Sequence, residues 1–292
     1  MSEMKKIRMG EASFNYSPET AYEKNGNVYC NTCHEQINGE VINMMGTWMC
    51  FRIQCQCEKE EEKRWKERER VMRVNQLKDT CFTNPKQRNY TLDKCLISNE
   101  KTIGVVSNYI KKFDEVRKKN VGLLFFGEVG SGKSYLAAAI ANAVMEEYEI
   151  TCKMRNFSQI INDLQSGGFD LDKNRYIDSL VRTPLLILDD LGIERNTPYA
   201  LEQVYNIING RSLQGLPTII TTNLSLEDIK NHTESIVLKR IYSRVLEMCI
   251  PVLVSGADIR EQIHKKKIQE SRKREVATVL PLNHLTYRRN RK

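Results

Sequence analysis

The alternation of apolar and polar positions changes character at residue 121. Beyond it, short apolar runs recur at 122–126, 152–155, 185–189, 218–221 and 251–254. Between them, apolar residues fall at helical spacing over 133–147, 158–164, 175–181, 200–213 and 236–248. Strand-length runs alternating with helices predict an α/β domain, with a parallel sheet covered on both faces. The upstream stretch 103–119, IGVVSNYIKKFDEVRKK, places Val106, Tyr109, Ile110 and Phe113 on one helical face, which should pack on that domain.

Nearer the N-terminus the pattern is weaker. Residues 1–28 show no sustained period and are expected to be loose. Residues 29–57, YCNTCHEQINGEVINMMGTWMCFRIQCQC, read as a compact stretch with turns at Gly39 and Gly46. From Glu58 the run EKEEEKRWKERERVMRVNQLK has neither Pro nor Gly and predicts a solvated helix held by i,i+4 ion pairs. The expected organisation is a flexible segment 1–28, a cysteine module 29–57, a charged helical linker 58–100, the α/β domain 101–260 and a basic, disordered tail 261–292.

Composition sharpens this picture. At 292 residues and 40% hydrophobic, the chain can bury one sizeable core and a smaller module. No run approaches the length of a membrane span, and the start MSEMKKIRMGEASF has no apolar secretion core, so a cytoplasmic protein is expected. From Arg260 onward there are eleven Lys/Arg and three Asp/Glu, which accounts for the whole net charge of +8. The pieces HKKK, SRKRE and YRRNRK suit a nucleic-acid phosphate backbone, with Tyr287 the one aromatic available for stacking. A merely solubilising tail is the bland alternative.

Five of the nine cysteines lie between Cys30 and Cys57. In a reducing compartment such clustering points to metal rather than disulfides. Cys30-x₂-Cys33 and Cys55-x-Cys57 supply the four thiolates of tetrahedral zinc, with Cys50 and His34 as alternative ligands. A redox role for C-x-x-C lacks its βαβ setting. Cys81, Cys95, Cys152 and Cys249 are scattered and read as small hydrophobes.

The strongest chemical signal is Gly127-Glu128-Val129-Gly130-Ser131-Gly132-Lys133-Ser134, which meets G-x-x-x-x-G-K-[ST] at every fixed position and continues into the helix at Tyr135. Glycines turn backbone N–H groups inward around phosphates, and the helix behind them adds its positive end. Lys133 would reach the β- and γ-phosphates and Ser134 would ligate Mg²⁺. The run Leu185-Leu186-Ile187-Leu188-Asp189-Asp190 brings carboxylates to the sheet's carboxyl edge, where ligands of open α/β sheets sit. Asp189 would hold Mg²⁺ and Asp190 would polarise the attacking water. Asn223, closing PTIITTN, is a candidate to hold that water.

GLLFFGEVGSGKSYLAAAIANAV, LLILDDLG, TIITTN and LKRIYSRVLEMCIPVLVSGADIR together resemble the DnaC/IstB family of AAA+ ATPases, over roughly residues 100–260. That family includes bacterial and phage helicase loaders and transposon helper ATPases, and the N-terminal cysteine pairs resemble those of many loaders of Gram-positive bacteria and their mobile elements. The resemblance implies an AAA+ P-loop core with a five-stranded parallel sheet and no C-terminal lid. It makes residues 127–134 the Walker A loop, Asp189 and Asp190 the Walker B pair, and Asn223 the sensor-1 residue. It makes Arg244 the arginine finger, with Arg240 as the alternate, and Arg260 a late arginine near the nucleotide. The family's usual Ser two residues before that arginine is here Asp258. The implied cofactors are ATP, Mg²⁺ and Zn²⁺. The implied partners are a DnaB-type replicative helicase, single-stranded DNA and further copies of the chain in an ATP-dependent oligomer. Rival readings are a transposition helper ATPase and a P-loop small-molecule kinase.

Overall fold

The computed structural model describes residues 4–97, 99–166, 173–192, 197–231, 235–256 and 258–273. They form two compact units, one ending at Arg73 and one beginning at Val74.

The first unit is built from three antiparallel hairpins: β1 (Lys5–Met9) with β2 (Ala12–Tyr16), β3 (Ala21–Lys24) with β4 (Asn27–Cys30), and β5 (Asn38–Met44) with β6 (Thr47–Arg52). Its core gathers Ile7, Met9, Phe14, Tyr16, Val28 and Ile37 around Cys30 and Cys55. The expectation of a loose segment 1–28 is therefore corrected. Ile7 and Met9 alternate with polar residues, as do Ala12, Phe14 and Tyr16, so each strand buries one face. Five-residue strands joined at a left-handed glycine, Gly10, are too short to give a sustained period.

Helix α1 (Gln56–Cys81) follows, 26 residues long, with ion pairs such as Lys66–Glu62 at 2.6 Å and Arg73–Glu69 at 2.9 Å on its surface. It is not a linker reaching residue 100. From Val74 onward the chain belongs to the second unit, where Cys81, Phe82 and Ile97 enter the main core. Between Phe82 and Ile97 the chain makes two short 3₁₀ turns, Pro85–Asn89 and Leu92–Lys94. The apolar face predicted around Phe113 is buried in α2 (Glu100–Lys111) and α3 (Phe113–Lys118).

The second unit continues as β7 (Gly122–Phe126), α4 (Lys133–Tyr148), β8 (Cys152–Asn156), α5 (Phe157–Ser166), α6 (Lys173–Val181), β9 (Leu185–Leu191), α7 (Pro198–Gln214), β10 (Thr218–Thr222), α8 (Leu226–Lys230), α9 (Ile236–Met248), β11 (Cys249–Leu253) and α10 (Ile259–Lys273). The five strands β7 to β11 form one parallel sheet in the order β11-β7-β10-β9-β8. Strand alternation divides the core into two faces. Leu123, Phe125, Leu185, Ile187 and Ile219 pack with α2 and α4, whereas Leu124, Leu186, Leu188 and Ile220 pack with α5, α7 and α9. This is the α/β architecture that the apolar runs predicted.

The tail expected to be disordered from residue 261 is helical to Lys273. Asp258 starts it, its Oδ1 accepting from the backbone N–H of Arg260 at 2.8 Å. Residues 274–292, with the piece YRRNRK and Tyr287, lie outside the described residues. No helix among the described residues is long and apolar enough to cross a membrane.

Candidate functional site

The loop between β7 and α4 is shaped by glycines that no other residue could replace. Gly127 has φ +139°, and a Cβ there would lie 2.4 Å from the Val254 carbonyl oxygen. Gly130 has φ +80°, and a Cβ there would lie 2.2 Å from Asp258 Oδ1. The chain must turn left-handed while pressed against β11 and the start of α10. Lys133, in the first turn of α4, is buried, and its ammonium donates to the carbonyls of Gly127 at 2.9 Å and Glu128 at 2.7 Å. Ser131 is also buried, its hydroxyl 3.5 Å from that ammonium. Burial lowers the Lys133 pKa, partly offset by Asp190 and Asp189.

Alternation along β9 puts Asp189 on the same face as Leu185 and Ile187, the face covered by α4. Ser134, next to Lys133 in the first turn of α4, lines the same cavity as Asp189. Thr221 on β10 donates to Asp189 Oδ1 at 2.6 Å and accepts from the Asp190 backbone N–H at 2.9 Å. Burial nevertheless raises the Asp189 pKa above its ordinary value. A buried carboxylate and a nearby hydroxyl supply oxygen ligands that suit a hard divalent cation such as Mg²⁺, while the helix N-terminus suits the phosphates. Asp190 sits at φ +62°, a strained conformation for a non-glycine residue, and the side-chain amide of Asn156 donates to its Oδ2 at 3.0 Å.

These groups open on one cavity of about 680 Å³, lined by Val129, Gly130, Gly132, Lys133, Ser134 and Tyr135, by Asp189 and Asp190, and by Asn223 and Arg260. The structure thus brings together sequence-predicted residues from four separate stretches of chain. Arg240 and Arg244 are not among the cavity's lining residues. Both lie on α9, where Arg244 pairs with Glu247 at 2.7 Å on the surface and Arg240 is exposed. Asp258, the departure from the family pattern, caps α10 and so sets the backbone of Arg260.

Sequence reasoning missed the opposite wall of the cavity. Asn84, Gln87, Tyr90, Lys94 and Leu96 line it, from the segment assigned to a linker. Tyr90 stacks on Tyr135 with ring centroids 4.4 Å apart, Tyr135 donates to the Thr91 carbonyl at 2.9 Å, and Asn142 donates to the carbonyls of Gln87 and Tyr90. Helix α4 thereby holds both the phosphate loop and this wall. No motif marks such residues, because their role depends on tertiary contact alone.

In the first unit, Cys30 ends β4, Cys33 follows in a turn, and Cys55 and Cys57 flank the start of α1. Their four sulfur atoms lie within 4.8 Å of one another. Cys57 Sγ is 3.1 Å from Cys55, 3.4 Å from Cys30 and 3.6 Å from Cys33. Zinc–thiolate bonds of about 2.3 Å in a tetrahedron require sulfurs roughly 3.8 Å apart, so the four fit the ion. The backbone N–H groups of Cys33 and Thr32 pull the Cys30 thiol down to about 6. The alternative ligands stand aside: Cys50 points its thiol at the Gly39 carbonyl, 3.3 Å away, and His34 Nδ1 meets the Tyr22 hydroxyl at 3.2 Å.

Residues 53–267 match the family model described as IstB-like ATP binding protein. The chain is 27% identical over 164 residues to the replicative helicase loader DnaI of Bacillus subtilis, covering 53% of this chain and 52% of that protein. It is 24% identical over 169 residues to the replicative helicase loader DnaC of Escherichia coli K12, covering 55% and 66%. It is also similar to a crystal structure of the DnaC helicase loader, with a TM-score of 0.52 and 26% identity over 59% of this chain and 100% of that one. The chain spans only about half the length of the Bacillus loader.

Proposed function

The chain belongs to the IstB-like ATP binding protein family, with a DnaC-like AAA+ fold, and we propose that it is an ATPase that delivers a replicative helicase onto single-stranded DNA. The observation that carries the reading is the convergence of phosphate loop, the Asp189–Asp190 carboxylates and Asn223 on one cavity, while α9 keeps its arginines away from it. Backbone N–H groups of residues 127–134 cradle the phosphates, and Lys133 leaves the loop carbonyls to reach the β- and γ-oxygens. Ser134 and Asp189 would hold Mg²⁺, which would neutralise charge on those oxygens. Asp190 polarises the attacking water and Asn223 orients it. Arg260, on the cavity wall, adds positive charge from the same chain.

A γ-phosphate transition state needs a further cation, which a neighbouring copy supplies through Arg244, or Arg240, in an ATP-dependent oligomer. Such in-trans arginines are worth about 10³–10⁵ in rate. Turnover by the isolated chain is accordingly weak and rises with DNA or partner. ATP and ADP states differ in affinity for helicase and DNA, and that difference performs the loading in the cytoplasm. Cys30, Cys33, Cys55 and Cys57 hold a structural zinc. With no open ligand position, the first unit binds rather than catalyses. The outer face of the β5–β6 hairpin presents Ile42, Met44, Met49 and Phe51 to solvent, a patch of the kind that marks protein interfaces, and we assign the helicase contact to it. The match to an IstB-like family supports a second reading, a transposition helper with the same active site and a transposase as partner.

The test is capture of the replicative helicase from the same genome in ATP and in ADP, with Lys133→Ala alongside. Nucleotide-dependent capture that Lys133→Ala abolishes is expected. Capture of a transposase instead selects the second reading, and capture of neither removes both.

A further inference from the structure

Helix α10 carries six Lys or Arg and two Glu in its 15 residues, IREQIHKKKIQESRK. Helix α1 is equally charged but balanced, with eight Lys or Arg against seven Asp or Glu. Balance of that kind lets a solvated helix pair its own charges along its surface, and α10 lacks it. At about 100° per residue, Gln262, Lys265, Lys266, Gln269, Arg272 and Lys273 fall in one stripe about 120° wide. Cations and amides fill that stripe, while Glu261 and Glu270 stand at its two borders. Lys265 and Lys266 are exposed. Lys265 pairs with Glu261 at 2.8 Å, an exposed contact of a kind that contributes little and exchanges readily for another anion.

The start of this helix is fixed to the nucleotide cavity. The Ile259 backbone N–H donates to the Gly130 carbonyl at 3.0 Å, and the Asp258 carboxylate lies where a Cβ of Gly130 would stand. Ile259 and Arg260 both line the cavity. Lys265 and Lys266 follow Arg260 by only about 8–9 Å along the helix axis. The basic stripe is thus held in a set position relative to the phosphate loop.

We propose that this stripe binds the phosphodiester backbone of DNA and holds it beside the phosphate loop. The inference rests on the ATPase reading above and names the surface on which its DNA partner lies. From Gln262 to Lys273 the stripe rises about 16 Å, enough to meet several phosphates of one strand. Its chemistry selects nucleic acid over protein. The six positions supply N–H donors and positive charge, with no apolar or aromatic residue to anchor in a protein pocket or to stack on a base. Such donors contact phosphate oxygens, and those contacts position a strand without reading its sequence. Each phosphate neutralised releases counterions, so the binding falls as salt rises.

The test is binding of a fluorescent mixed-sequence single strand, with its duplex alongside, to the full chain with Mg²⁺ and a non-hydrolysable ATP analogue. Affinities are measured between about 50 and 200 mM salt, the range over which phosphate contacts weaken most visibly. The double variant Lys265→Gln, Lys266→Gln should bind both forms about tenfold or more weakly, with the single-strand salt slope reduced by about 1.4. The ratio of the two affinities identifies the form that the surface serves. Lys265→Arg with Lys266→Arg keeps affinity and slope. Lys267→Gln removes the same charge as Lys266→Gln from outside the stripe and costs clearly less, whereas Glu261→Gln frees Lys265 and tightens binding. In the double variant, nucleotide affinity and turnover without DNA stay at the wild-type level, and stimulation by DNA is lost. Unchanged affinity and slope in the double variant, equal losses from Lys266→Gln and Lys267→Gln, or tighter binding of poly-glutamate than of DNA overturns the surface and leaves the ATPase reading standing. A wild type that binds DNA but no nucleotide overturns the ATPase reading instead.

Discussion

Burial of Asp189 outweighs the Thr221 hydroxyl and the nearby Lys133 ammonium, so its carboxyl group holds a proton more tightly than an unfolded aspartate does. The sign of the consequence is definite. Between about pH 4, where an unfolded aspartate titrates, and the raised native value, the folded chain binds a proton that the unfolded chain has released. Without Mg²⁺, the stability contributed at this position is present at low pH and lost as pH rises through that window. Asp189→Asn removes the slope, which urea midpoints for both proteins from pH 4 to 7 would show; identical pH profiles contradict the account. Single residues also show where the site could be read in advance. The phosphate loop and Leu185–Leu191 were legible because their chemistry requires contiguous residues. Asn156, Tyr90 and Gln87 were not, since each gains its role only when distant strands or helices meet.

At the scale of elements, all five strands of the parallel sheet could be located, and β7, β9 and β10 most plainly, because a strand buried on both faces has no polar face to dilute its signal. The hairpins of residues 5–30 escaped because each buries one face over only four or five residues. Junctions between elements are equally silent in sequence. Arg211 in α7 is fully buried and has no carboxylate partner among the described residues. Its guanidinium instead joins the Val181 and Thr183 carbonyls to those around β10, Pro217 O and Thr218 Oγ1, at 2.6–2.9 Å. Arg211→Ala strands four acceptors at once, and a loss of about 3–5 kcal/mol in urea unfolding is expected; a loss within the ±0.5 kcal/mol typical of about any surface site would show the clamp to be idle. The β5–β6 hairpin gives the complementary case. Its outer side chains stabilise little, so Phe51→Glu should leave the unfolding midpoint and ATP turnover near wild type while weakening helicase capture about tenfold or more, as loss of a buried aromatic anchor does. Unchanged capture in a pull-down would move the contact elsewhere.

For the whole molecule, the decisive feature is that its two units are stabilised in different ways. The second unit has two extensive apolar cores, one on each face of a five-stranded sheet. The first unit has three short hairpins around a small core whose members include Cys30 and Cys55 themselves. A module of that size cannot offset its chain entropy with apolar burial alone, whereas structural zinc contributes about 10–16 kcal/mol in small zinc peptides. Removing the ion should therefore unfold one unit and spare the other. After treatment with a strong chelator, trypsin is expected to cut within residues 5–52, at Lys5, Lys24 or Arg52, while a fragment containing residues 74–273 persists and still binds ATP. Cys57→Ser should reproduce that pattern without chelator. Mass spectrometry of the digest and a fluorescent-nucleotide titration on the same sample separate the outcomes. Resistance of the first unit after the metal is gone would mean that its hairpins stand on their own, and loss of ATP binding together with it would mean that the two units do not fold independently.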